Sequence, residues 1–148
     1  VLDVGTGAGL PGIPLAIARP AVDFCLIDSS GKKARFLRQA VSELGLPNVE
    51  IIHGRVEQLD RSQHSALRTS RAVAALADML KASAPLLTES GRYLAMKGAL
   101  PSDEIARLPP GWRAESVPLQ VPGERARRHL VIVKRDYPEK RRPATQSN

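Results

Sequence analysis

The chain has little of three things that often decide the class of a protein: cysteine, aromatic residues and long apolar runs. Cys25 is the one cysteine among 148 residues, so no disulfide can form within the chain and a reducing, cytoplasmic setting is the default. Only 3% of the residues are aromatic, too few for platforms on which bases stack. No apolar run approaches the roughly 20 residues of a membrane-spanning helix. We therefore expect neither a disulfide framework, nor a base-stacking module, nor a transmembrane segment.

Residue patterns typical of metal sites and of proton-transfer catalysis are also missing. The three histidines are scattered, and none has a metal-like spacing with another or with Cys25. We therefore predict no metal site, and no acid–base pair stands out. The histidines are His53, His64 and His129.

Acidic residues are outnumbered, which leaves a formal net charge of +7. Part of the excess lies in residues 134–148, which hold five basic and two acidic residues together with Pro138 and Pro143. This composition predicts a flexible basic tail over residues 136–148. The balance favours an anionic partner, although excess lysine and arginine can also simply solvate a surface.

A glycine-rich loop follows the first apolar run of the chain. Residues 5–12 hold four glycines, and Gly7-x-Gly9-x-x-Gly12 matches the fingerprint of dinucleotide-binding loops. The segment Asp3-Val4-Gly5-Thr6-Gly7-Ala8-Gly9 also fits D-x-G-x-G-x-G, which is typical of proteins that bind S-adenosylmethionine (SAM). The motif predicts cofactor contacts at Asp3, Gly5, Gly7 and Gly9.

A second acidic residue supports a nucleoside cofactor. Asp28 ends the next apolar run, 19 residues after Gly9. A carboxylate at the tip of the second strand can accept hydrogen bonds from both ribose hydroxyls of an adenosine. NAD and SAM sites share this device, and the acidic residue within the first motif favours SAM.

Strand and helix patterns alternate along the chain, which predicts an α/β fold with a mostly parallel sheet covered on both faces. In the helix predicted over residues 32–44, the apolar positions Phe36, Leu37, Ala40, Val41 and Leu44 are expected to face the core. Gly91 is interpreted as a turn. The predicted strands are 1–4, 24–28, 49–53, 66–70, 93–97, 112–119 and 130–134, and the predicted helices are 13–19, 32–44, 75–84 and 102–108.

Several blocks of the sequence resemble the bacterial 16S ribosomal RNA (guanine-N7) methyltransferases, the RsmG or GidB family. The most specific are Leu10-Pro11-Gly12-Ile13-Pro14 and Ser70-Arg71-Ala72-Val73-Ala74, which generic methyltransferases lack. The resemblance covers residues 1 to about 134. It implies a Rossmann-like, doubly wound, seven-stranded SAM-dependent methyltransferase fold with an antiparallel last strand. It also implies methylation of N7 of guanine 527 in 16S ribosomal RNA, with that RNA or the small-subunit particle as partner.

The resemblance also implies roles for individual residues. Gly5 and Leu10 correspond to loop positions that contact SAM, and Val56 and Glu57 to the segment against its adenine. Arg71 corresponds to an arginine of the site wall near cofactor and target, and is the candidate catalytic residue; its alternative is a salt bridge that secures the loop.

RNA contacts are predicted at two basic places. Lys97 ends a strand on the side where open α/β sheets bind ligands, and it either meets phosphate or is simply solvated. The loop before the last strand carries Arg125, Arg127 and Arg128 and is the better candidate. A further basic patch is as easily a solvated helix face as an RNA contact: Lys32, Lys33, Arg35 and Arg38.

Members of this family usually carry a helical segment of several dozen residues before the first strand. Because the chain begins inside a strand and without methionine, we expect residues 1–135 to be a methyltransferase domain whose upstream part is absent. We expect a monomer. Three other functions remain open: a SAM enzyme acting on a small molecule, a non-catalytic RNA- or ribosome-binding domain with a vestigial SAM fold, and, more distantly, a nicotinamide dehydrogenase.

Overall fold

A seven-stranded sheet organises the chain in the computed structural model, which describes residues 1–60, 65–71 and 75–136. Among these residues the strands run in the order β3-β2-β1-β4-β5-β7-β6. The strands are β1 Leu2–Val4, β2 Phe24–Asp28, β3 Val49–His53, β4 Ser65–Arg71, β5 Leu87–Lys97, β6 Trp112–Leu119 and β7 Arg128–Arg135. The helices are α1 Gly12–Ala18, α2 Gly31–Leu44, α3 Leu76–Ser83 and α4 Ser102–Ala106.

The first five strands are parallel, and β7 lies antiparallel between β5 and β6. The carboxyl ends of β1 to β5 therefore meet at one edge of the sheet. Because β7 is antiparallel, its first residues lie at that same edge, where His129 pairs with Lys97. The predicted fold class, including the antiparallel last strand, is confirmed.

Helices cover both faces of the sheet, as a doubly wound fold requires. On one face α1 and α2 pack through Ile13, Ala16 and Leu37 onto Phe24 and Leu26. On the other face the central strands are covered by α3 and by the 3₁₀ turns Val56–Gln58 and Ala84–Leu86, and two clusters of buried side chains form. One cluster holds Leu76, Leu80, Tyr93, Ala95, Val131 and Val133, and the other Leu2, Ile27, Val56 and Leu86.

Local signals set the ends of α2. The Ser30 hydroxyl accepts a hydrogen bond from the Lys33 backbone N–H at 3.4 Å, which caps the first turn. Gly45 stops the helix in the left-handed conformation at φ 61°, and its N–H returns to the carbonyl of Ser42.

Two expectations from the sequence are wrong in detail. Phe36 and Leu44 are 54% and 53% exposed, because α2 turns Ala34 and Leu37 toward the sheet instead. Gly91 is not a turn: it lies buried inside β5, where the pairing with β4 shifts register between Ser65 and Leu67. A Cβ at Gly91 would lie 2.5 Å from Leu87 Cγ, so the irregular strand requires the close backbone approach that glycine permits.

Candidate functional site

Asp3 is the buried centre of the glycine loop. Its Oδ2 atom accepts hydrogen bonds from the Thr6 hydroxyl at 2.6 Å and the Gly12 N–H at 2.9 Å, and its Oδ1 atom accepts one from the Thr69 hydroxyl at 3.1 Å. A Cβ at Gly12 would lie 2.8 Å from Oδ2, so only glycine lets the start of α1 approach this carboxylate. With 0% exposure, Asp3 braces the loop from below.

Asp28 also holds the loop, but from the open side. Its Oδ2 atom accepts the Gly7 N–H at 2.9 Å and its Oδ1 atom the Ser30 N–H at 2.9 Å. A carboxylate has about four lone-pair positions, so two acceptor positions remain for a ligand. The protein thus orients the Asp28 carboxylate, which can still accept hydrogen bonds from two hydroxyl groups of a ligand.

A cleft of about 360 Å³ opens at the carboxyl ends of β1, β2 and β3. It brings together four of the predicted cofactor residues, Gly5, Asp28, Val56 and Glu57. Gly5 has φ 64° and a Cβ there would meet no protein atom within 4 Å, so the backbone faces free space. Among the described residues, those that line the cleft are Val4, Gly5, Ile27, Asp28, Ser29, Lys33, Gly54, Arg55, Val56 and Glu57.

The other predicted cofactor residues lie around this cleft rather than in its lining. Gly7 is linked to the cleft by the hydrogen bond that its N–H donates to Asp28. Gly9 is buried with φ 87°, and a Cβ there would lie 2.5 Å from Ile13 Cδ1, so its position serves packing of the loop on α1. Leu10 is 41% exposed. Arg71 is the last residue of β4, and its backbone pairs with Met96.

Sequence reasoning did not assign Lys33 and Arg55 to this cleft. The sequence places Lys33 in a basic patch of α2, yet it lies in the first turn of that helix and lines the cleft together with Asp28 at the end of β2. Arg55 starts the segment that contains Val56 and Glu57, and its position after β3 was the available signal. Together they set two positive charges beside the carboxylates of Asp28 and Glu57.

The predicted RNA-binding residues gather at the same sheet edge, on the other side of β4. Lys97 is bound to Glu104, with Nζ–Oε2 and Nζ–Oε1 distances of 2.8 and 3.0 Å, and its side chain is 11% exposed. Arg125 and Arg127 are exposed, and Arg128 pairs with Glu124 at 3.1 Å. A small cleft of about 330 Å³ is lined by Pro118, Leu119, Arg127, Arg128 and His129.

A larger groove of about 560 Å³ lies at the opposite edge, by the amino ends of the strands, and contains none of the predicted site residues. Open α/β sheets bind ligands beyond the carboxyl ends of their strands, so we regard the smaller cleft as the cofactor site. Cys25 lines the groove, and burial raises the pKa of its thiol to about 11. It therefore stays protonated near neutral pH and is a poor nucleophile.

The described residues, 1–60, 65–71 and 75–136, were also expected to hold neither a metal site nor a membrane-spanning segment. They contain no group of three or more histidine, cysteine, aspartate or glutamate side chains placed to hold a metal ion. They also contain no helix with the length and apolar character that crossing a membrane requires.

Solved structures identify the class of fold. The chain resembles TrmN from Thermus thermophilus with a TM-score of 0.72 at 20% identity, over 90% of this chain and 43% of that one. It resembles an rRNA methylase from Streptococcus thermophilus with a TM-score of 0.63 at 18% identity, over 90% and 84% of the two chains. The fold is that of the Rossmann-like methyltransferases.

Sequence relatives identify the family. Residues 1–131 match the family model GidB, rRNA small subunit methyltransferase G. The chain is 54% identical over 136 residues to ribosomal RNA small subunit methyltransferase G of Marinobacter nauticus, covering 91% of this chain and 64% of that protein. The chain belongs to the rRNA small subunit methyltransferase G family and spans just under two thirds of the length of this relative.

Proposed function

We propose that the chain is the SAM-binding, catalytic part of an enzyme that methylates N7 of guanine 527 in 16S ribosomal RNA. The observation that carries the proposal is the cleft at the ends of β1, β2 and β3, which gathers Gly5, Asp28, Val56 and Glu57. Family membership supports the reaction class, and the position of the target guanine comes from the family resemblance alone.

The residues of the cleft fit the cofactor. Asp28 retains acceptor positions for the ribose hydroxyls, and Val56, 8% exposed at the 3₁₀ turn, offers an apolar surface to the adenine. Glu57 lies beside it, and the open backbone at Gly5 gives room to the remainder of the molecule. Gly7, Gly9 and Leu10 complete the loop, while Asp3 acts on the cofactor through the position of that loop.

The chemistry requires positioning more than proton transfer. When bound, SAM supplies an electrophilic methyl group on a positively charged sulfur. Guanine N7 has a free lone pair, so no proton has to be removed before it attacks. The enzyme then has to align the base in line with the methyl group. We assign this task to Arg71, whose type of side chain both stacks on a base and donates paired hydrogen bonds.

The target base is expected to enter between the cofactor cleft and the basic loop 124–128. Strands β1 and β7 are separated by β4 and β5, which at the usual strand spacing is about 14 Å along the sheet edge. The position of Arg71 at the end of β4 falls within this interval. Arg125, Arg127 and Arg128 are assigned to the RNA backbone, and Lys97 to the edge between them and Arg71.

Three further assignments belong to the same proposal. We propose residues 1–135 as the methyltransferase domain; residues 137–148, most of the predicted basic tail, lie outside the described residues. We propose a monomer, since one chain offers both the cleft and the basic loop. The cytoplasm is proposed as its location because that is where ribosomal particles are modified.

The proposal is tested by SAM binding followed by methyl transfer. Calorimetry compares the 148-residue chain with the full-length Marinobacter nauticus relative as positive control. Methyl transfer from labelled SAM is then measured on small-subunit particles that lack the modification, and the product nucleoside is identified by mass spectrometry. We expect SAM binding and 7-methylguanosine. A chain that binds no SAM while the relative does would contradict the proposal, as would methylation of another atom.

A further inference from the structure

Glu104, in the first turn of α4, binds two other elements at once. Both carboxylate oxygens contact the Lys97 ammonium, at 2.8 and 3.0 Å, and Oε2 also accepts the backbone N–H of Leu76 at 2.9 Å. Lys97 ends β5 and Leu76 begins α3. One side chain of α4 thus contacts both the end of β5 and the start of α3.

The contact with Leu76 replaces a missing local cap. The residue before α3 is Ala75, whose side chain cannot accept a hydrogen bond, and the helix has no side-chain cap of its own. An acceptor at a helix N-terminus satisfies free N–H groups, and a negative charge there interacts favourably with the helix dipole. Glu104 supplies both from another helix. The hydrogen bond from Lys97 lowers the pKa of the Glu104 carboxyl, so the group is ionised at neutral pH.

The place of this contact in the fold gives it a consequence for the reaction. Arg71 is held at the end of β4 by its pairing with Met96, the residue before Lys97. The chain begins α3 at Leu76, five residues after Arg71. The backbone of Arg71 is therefore held by the sheet, and the start of α3 is held by Glu104.

We infer that Glu104 is a positioning residue: it holds the Lys97 ammonium and the amino end of α3 in one arrangement beside Arg71. Lys97, the amino end of α3 and Arg71 form what we call the target-side wall of the site. The inference rests on the proposed function and extends it to a residue that does not touch the cofactor cleft. It also gives Lys97 a partner within the protein in addition to its proposed place near RNA.

The packing of α3 and α4 against the core does not depend on the Glu104 side chain. Its neighbours Leu76 and Ile105 contribute the apolar contacts between α3, α4 and the core, and these remain when Glu104 is changed. The Glu104 side chain is 32% exposed, so its removal opens no buried cavity. Loss of the carboxylate should therefore displace the wall more than it destabilises the domain.

The test compares Glu104→Ala and Glu104→Gln with Asp103→Asn as matched control. Asp103 lies in the same first turn of α4, is exposed, and loses the same charge. We expect Glu104→Ala to lower kcat on the small-subunit particle by about 10- to 100-fold, since a shift of about 1 Å can cost that much. The Kd for SAM and the urea midpoint should stay close to those of the unchanged chain. Glu104→Gln keeps an acceptor for the Leu76 N–H, so its kcat should lie between those of Glu104→Ala and the unchanged chain. Asp103→Asn should leave kcat unchanged.

Two further measurements separate positioning from a general structural effect. Hydrogen exchange at the Leu76 amide should become faster in Glu104→Ala and stay unchanged in Asp103→Asn. On a Lys97→Met background, Glu104→Ala should cost less in kcat than it does alone, because one of its two partners is already gone.

The outcomes are distinct. An unchanged kcat for Glu104→Ala, in an otherwise active chain, would overturn the inference and leave the proposed function intact. Parallel loss of kcat, SAM affinity and the urea midpoint would also overturn it, because Glu104 would then be merely structural. If the unchanged chain binds SAM but transfers no methyl group, the proposed function fails first and the inference falls with it.

Discussion

At the scale of single residues, Asp3 lies within β1 and Asp28 ends the neighbouring β2, and their surroundings give them different tasks. Asp3 is completely buried, and its hydrogen bonds join the glycine loop, α1 and β4. Asp28 is 7% exposed and lines the cleft, and each of its carboxylate oxygens accepts one hydrogen bond from a backbone N–H. Asp28 is therefore the carboxylate from which cofactor affinity can be measured directly.

We predict that Asp28→Asn weakens SAM binding by about 10- to 100-fold. Each hydrogen bond to a charged acceptor contributes about 1.5–3 kcal/mol, and the amide keeps only one acceptor atom. Calorimetry measures the effect, and Asp23→Asn, just before the other end of β2, is the control that should bind SAM normally. Equal affinity of Asp28→Asn and the unchanged chain would contradict the assignment of Asp28.

Arg68 is the most unusual buried residue outside the site. It lies in β4 with 0% exposure, and within the described part of the chain none of its guanidinium nitrogens has a hydrogen-bond partner. Burial lowers the pKa of this group from 12.5 to about 10. The unfolded chain thus holds the Arg68 proton more tightly than the folded one does. The free energy of unfolding therefore rises as the pH increases from about 10 to 12.5, and at neutral pH the folded state bears the full cost of the buried charge.

We predict that Arg68→Leu stabilises the domain by about 1–4 kcal/mol, the range found when buried ion pairs are replaced by apolar residues of similar volume. The replacement leaves no described hydrogen-bond partner of Arg68 unpaired. Urea unfolding at pH 7 measures the change. Arg92→Leu on the neighbouring strand is the control, since Arg92 is exposed and its replacement removes no buried charge. A lower urea midpoint for Arg68→Leu would contradict the prediction and show that the guanidinium is satisfied in solution.

At the scale of elements, α2 shows what end signals determine. Ser30 and Gly45 bound the helix as their residue types predict. The buried face was harder to predict, because the pattern of the larger apolar residues did not indicate that Ala34 belongs to it. Leu37 is buried and Phe36 is 54% exposed, a choice that depends on how α2 lies against β2 and β3.

We predict that Gly45→Ala destabilises the domain by about 1 kcal/mol, since a Cβ disfavours the left-handed conformation. No atom lies within 4 Å of a Cβ at this position, so the cost is conformational and not steric. Gly45→Asn should cost less, because asparagine tolerates this conformation better. Urea midpoints of the two variants decide the matter, and equal values would assign the cost to another cause.

The same distinction applies to the site. Gly5 and Asp28 could be placed together from the sequence because parallel strands end at one edge and the motif fixes their order. The partnership of Glu104 with Lys97 and Leu76 joins residues 7 and 28 positions apart, and depends on the packing of α4 against α3. Arg68 could not be identified from the sequence either, because an arginine within a strand pattern is usually exposed.

At the scale of the whole molecule, the topology assigns two tasks to one edge of the sheet. The parallel strands β1, β2 and β3 end at the cleft, and the antiparallel β7 returns the basic loop to the same edge. Among the described residues, most of the other lysine and arginine side chains are spread over helices and strands. If the proposed function holds, the charges that matter for RNA are those near this edge, and the helix patch on α2 matters less.

We predict that Arg125→Ala with Arg127→Ala lowers the slope of log K against log salt concentration for binding to the small-subunit particle by about 1.4–1.8, because each phosphate contact contributes about 0.7–0.9. Arg35→Ala with Arg38→Ala on α2 is the control with the same loss of charge, and its slope should match that of the unchanged chain. The Kd for SAM should be the same in all three, since neither pair lines the cleft. A fall in slope for the α2 pair alone would move the RNA-binding surface from the edge of the sheet to its helical face, and the target base could then no longer approach between β1 and β7.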